Sequence, residues 1–127
     1  MPARLNRSAY AHAERLIRDG ACVDDNRDAW SEHRPSASDE DEFISRHGFR
    51  AYGKWHLGID EEFGKDSKAR YKFPYGDFAK VHRCALLAAE SRAGQYGYRD
   101  IELAVAHLHG MIEAASSAQR CTLAKSP

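Results

Sequence analysis

The sequence predicts an α+β fold, a mostly helical small domain that holds a two-stranded β-hairpin and ends in an antiparallel helix pair. Three patterns predict it. Around Trp55 and again around Phe73, apolar residues alternate with polar ones at the period of two that marks a strand with one buried face. The run CALLAA at 84–89 is apolar on every side, as a central helix is. Further on, Ile101, Ala104, Val105, Leu108, Ile112 and Ala115 recur on one helical face.

In chain order, SAYAHAERLIRD at 8–19 places Ala9, Ala13, Leu16 and Ile17 on one side of a helix that Gly20 stops, with His12 packing at its edge. Residues 21–37 show no sustained period and read as a surface loop that tucks Trp30 inward. Ser36 or Ser38 then caps a short helix, with Asp39 or Asp41 as the capping-box partner. Acids fill its first turn, Arg46 and His47 its last, and Gly48 closes it.

The hairpin follows. In KWHLGID the residues Trp55, Leu57 and Ile59 face the core while Lys54, His56, Gly58 and Asp60 face out. In RYKFPY the inward residues are Tyr71, Phe73 and Tyr75, and Pro74 confines this arm to a sheet edge or a strand end. Asp77 or Gly76 caps a helix over 78–94, the chain turns at 94–97, and a last helix covers 99–115. Residues 1–127 are expected to form a single domain whose tail, 116–127, frays.

Lysines and arginines equal aspartates and glutamates at 19 each, so no net charge drives binding to nucleic acid or to a membrane. The charge is unevenly placed. Residues 21–42 carry eight acids against Arg27 and Arg34, whereas residues 65–83 carry six cations against Asp66 and Asp77. Pairing within the molecule or between two copies in a homodimer can satisfy such an asymmetry. Cys22, Cys84 and Cys121 are odd in number and lack a CxxC spacing, which predicts neither a disulfide framework nor a zinc knuckle and places the chain in the cytoplasm. No segment nears the ~20 apolar residues of a membrane span.

Two constellations carry chemistry. Lys54, His56, Arg70 and Lys72 share the hairpin's outer face and form, with Lys80 and Arg83, a basic strip suited to phosphates, while neighbouring aromatics suit stacking. This predicts a non-enzymatic binding module for RNA, DNA or a protein partner. The alternative is a metal-dependent enzyme centred on His56 and Asp60, joined by Asp28, Glu32, His33 or His82. Cys84 reads as a small buried hydrophobe, because two residues along a helix do not bring it to His82. The glycines at 53, 58, 64 and 76 make no phosphate or dinucleotide fingerprint, so no cofactor is expected.

At WSEHRPSA, FISRHG, YGKWHLGID, RYKFPYGDFAKVHR and LLAAESRAGQ the chain resembles a widespread family of small, uncharacterised bacterial proteins, over about residues 8–113. Residues 55–112 are also loosely similar to a short module attached to phage head-associated proteins. That likeness lies in the aromatic-proline turn, the helix entry at 81–83 and the alanine-rich helix. It implies a transferable binding module and brings no catalytic residues.

Overall fold

Helices α4 (Arg83–Tyr96) and α5 (Arg99–Ser117) turn back on each other about Gly97, whose φ of 73° is the left-handed conformation that glycine adopts without strain. In this computed structural model, which describes residues 3–123, the pair forms the centre of the fold. Ile101, Val105, Leu108 and Ile112 on α5 meet Leu86, Ala89 and Ala93 on α4, all buried in one cluster. Helix α1 (Arg7–Arg18) adds Ala9, Ala13 and Ile17 to the same core, and Asn6 caps it by accepting the Ala9 N–H at 3.3 Å.

The predicted hairpin is present. Strands β3 (His56–Ile59) and β4 (Tyr71–Pro74) pair antiparallel with Gly58 opposite Lys72, and Trp55, Leu57, Phe73 and Tyr75 lie in the core. A third strand, β1 (Arg4–Leu5), pairs on the other side of β3, so the sheet runs β1-β3-β4. Two residues are too few to show a period. Gly58 is required here: a Cβ on it would lie 2.6 Å from the Phe73 ring.

A second sheet falls where the sequence suggested loop and helix. Strand β2 (Cys22–Asp24) lies between β5 (Val81–His82) and β6 (Thr122–Leu123), parallel to both. The stretch read as a loop therefore holds β2 and a four-residue helix, α2 (Trp30–His33). Likewise the central helix begins at Arg83, not at 78. The preceding residues are drawn into the sheet, and Asp77 instead accepts the Ala79 and Lys80 N–H groups at a turn. Helix α3 (Ala37–Gly53) has a Ser36–Asp39 capping box, one of the pairs the sequence offered, but it continues past a kink at Gly48 (φ 85°).

Two expectations at the chain's periphery need correction. Cys22 and Cys121 are joined in a disulfide, a pairing made possible because β6 returns alongside β2; the absence of a short-range cysteine motif conceals it. The same contacts hold residues 116–123, where fraying was expected, while residues 124–127 lie outside the described residues. Charge is partly balanced internally: Lys68 contacts Glu40 at 3.0 Å and Asp41 at 3.1 Å. Among the described residues no helix is long and apolar enough to cross a membrane.

Candidate metal centre

Parallel pairing of β2 with β5 aligns Cys22 with Val81 and Val23 with His82, which brings the carboxyl ends of both strands to one edge. At that edge β2 delivers Asp25, β5 delivers His82, and the first turn of α4 delivers Cys84. The adjoining α2 adds His33. Asp25 and Cys84 are fully enclosed, His82 is almost so, and the His33 side chain is 32% exposed. One ligand atom from each of the four lies within 4.8 Å of every other.

The geometry centres on one carboxylate. Asp25 Oδ2 accepts hydrogen bonds from His33 Nδ1 and His82 Nδ1, each at 2.7 Å, and from the Cys84 thiol at 3.0 Å. Its other oxygen, Oδ1, accepts the Cys84 backbone N–H at 2.8 Å. Helix α4 has no side-chain cap from its own N-cap residue, His82, so Asp25 satisfies an N-terminal donor from across the fold. On its far side, His82 Nε2 donates to Asp77 Oδ2 at 2.8 Å. With carboxylates at both nitrogens, the His82 ring carries both protons.

Protonation follows from these contacts. Burial alone raises the pKa of Asp25, but bonds from His82, from the Cys84 thiol and N–H, and from His33 outweigh it and hold the carboxyl well below the usual range. Burial alone lowers the pKa of His82, and the bonds to Asp25 and Asp77 overcome it and raise it to about 11. The Cys84 thiol is raised, first by burial. A reactive cysteine has a lowered pKa, so Cys84 is not primed as a nucleophile.

The sequence named two of the four donors, His33 and His82, and the structure brings them together. It does not bring His56 and Asp60 to them. His56 is 3% exposed, its Nδ1 bonds the Tyr52 carbonyl at 2.9 Å, and burial lowers its pKa to about 4. Asp60 accepts the Glu62 N–H, and Asp28 and Glu32 are exposed and outside the cluster. Asp25 was one acid among many in its segment, with no spacing to single it out. Cys84 was missed because His82 was placed on the same helix; with His82 on a strand and Cys84 on the next turn, both side chains reach Asp25.

The proposed basic strip is also rearranged. His56 is buried with its ring against Tyr52, near the end of α3, and Tyr71, and Lys54 is the exposed C-cap of α3. Arg70 donates to the Phe63 carbonyl, and Lys72 Nζ lies 5.5 Å from the Phe63 ring centre. Lys80 reaches Thr122, and Arg83 bonds the Asp25 carbonyl beside Asp24 and Glu113. Comparison with protein-family models, curated proteins and solved structures found no match. The site rests on its own geometry.

Proposed function

We propose that this protein is a non-enzymatic binding domain organised around a zinc-class metal ion, held by Asp25, His33, His82 and Cys84. The observation that carries this reading is the meeting of four donor atoms, from β2, α2 and the β5–α4 junction, within 4.8 Å. Two imidazoles, a thiolate and a carboxylate are ligands zinc takes together, and four protein donors fill its tetrahedral shell. No position is then left for a substrate, which is why the reading is structural and not catalytic. A carboxylate behind a ligating histidine is the usual outer support, and Asp77 stands there.

The surrounding fold supplies a reason for an ion. No residue from 26 to 36 is buried, so core packing does little to hold this stretch. It is tied down by its polar contacts to Asp25 and α4. A cation that displaced the protons on Cys84 and the histidines would bind the same groups more firmly.

Chelator-stripped protein titrated with zinc should take up about one ion per chain, and cobalt(II) in its place should give tetrahedral bands plus thiolate-to-metal charge transfer. Cys84→Ser should abolish the charge-transfer band, and His33→Ala should weaken affinity at least tenfold, on the order of losing a ligand contact. Free ion at about a thousandfold over Kd should stabilise the fold by about 4 kcal/mol. Folded wild-type protein that retains no stoichiometric zinc, or a cobalt spectrum indifferent to Cys84→Ser, would reduce the cluster to a hydrogen-bonded network and end this reading.

A further inference from the structure

A groove of about 500 Å³ runs between β4 and α4. Trp30 links it to the metal centre, since its ring lines the groove and lies 6.0 Å from the ring of His82. The volume is in the range that encloses a ligand of nucleotide size. Ala85, Ala88 and Ala89 of α4 line it with small side chains, which let a flat group approach closely. Trp30 and Tyr96 are aromatic residues of its lining, and Tyr96 is 58% exposed and stacked on Tyr98 with centroids 5.7 Å apart.

The charges on this groove are mostly of one sign. Arg34, Lys72 and Arg92 come from three different parts of the chain, against Asp60 alone. Some cations elsewhere have acids beside them, as in Arg4 with Glu61, Arg46 with Glu42, and Lys68 with Glu40. Among the described residues Arg34, Lys72 and Arg92 form no ion pair. Three cations against one acid give the groove a local positive charge over aromatic surface, in a chain with no net charge.

We infer that the groove binds single-stranded nucleic acid, with bases stacked on Tyr96 and the half-buried Trp30 and phosphates met by Arg34, Lys72 and Arg92. Cations that follow a backbone and aromatic faces that accept any base are the two components of sequence-tolerant single-strand binding. A duplex keeps its bases stacked on one another and cannot use the rings. The inference gives the binding half of the proposed function a ligand class and does not depend on the ion.

The test is fluorescence anisotropy of the full chain with a labelled single-stranded oligonucleotide of mixed sequence, run with chelator and again with zinc. Three phosphate contacts predict about a 20-fold loss of affinity between about 50 and about 200 mM salt. Arg92→Glu and Lys72→Glu should each weaken binding tenfold or more, and Tyr96→Ala about tenfold through lost stacking. Arg7→Glu, an exposed change on α1, should alter it less than about twofold, as expected for a cation outside the contact. Absent or salt-independent binding overturns the inference. So does equal binding of the matching duplex or of polyglutamate, or an equal loss in Arg7→Glu. Single-strand binding that persists in metal-free protein supports the groove even if the zinc titration fails.

Discussion

The Nδ1–H of His56 donates to the Tyr52 carbonyl, and the ring lies 4.4 Å from Tyr52 and 6.2 Å from Tyr71, centroid to centroid. Burial keeps it neutral by lowering its pKa from 6.5 to about 4. The unfolded chain takes up a proton that the folded chain refuses, so this contribution to stability is complete above pH 6.5 and is lost as pH falls toward 4. Urea denaturation at about pH 7.5 and about pH 4.5 should show wild type losing roughly 2–3 kcal/mol more than His56→Phe over that interval. Equal losses would show that His56 titrates normally in the folded chain. The alternation around Trp55 correctly turned that ring inward, but it could not tell that Tyr52, near the end of α3, would cover His56 on the opposite face of β3. Cys84 gives the same lesson: a side chain's direction depends on where the helix begins, and the apolar run at 84–89 marks only its middle.

At the scale of elements, one cap and the hairpin strands were legible, while the Asp77 or Gly76 cap and the short strands were not. The Ser36–Asp39 box is local and depends on residues three apart, so sequence displays it, and Ser36→Ala should cost about 1 kcal/mol in chemical denaturation. Strands β2, β5 and β6 are two or three residues long and pair over long separations, which leaves no periodicity to detect. With them went Asp25's place in the candidate metal centre, because parallel pairing is what sets Asp25 beside His82. The turn before β5 carries a further consequence. Asp77 holds the far nitrogen of His82, so Asp77→Asn should lower zinc affinity about 10- to 100-fold while leaving the count of bound ions unchanged. Isothermal titration with zinc checks both parts; unchanged affinity would detach Asp77 from the site.

At the scale of the molecule, the helix pair and the hairpin were legible because both rest on repeated patterns that bury one continuous core. The closure of the second sheet was not. The disulfide spans 99 residues, and a cross-link over a loop of that length restricts the unfolded chain strongly. Cys121→Ser should lower stability by roughly 4 kcal/mol, measured by urea denaturation without reductant. Denatured, unreduced wild type should titrate as one free thiol per chain, that of Cys84. Three would show that the bond does not form.

The enclosure of Cys84 against Asp25 also bears on how the right cysteines find each other. A chain emerging from the ribosome presents Cys84 to Cys22 well before Cys121 appears, so the first available partner is the wrong one. Once β2 and β5 have paired, the competing sulfur is shut away from oxidants and from Cys22. The folded arrangement thus favours the 22–121 pair over 22–84. Refolding under oxidising conditions from the fully denatured, reduced chain should trap a mispaired 22–84 isomer that refolding first and oxidising second avoids.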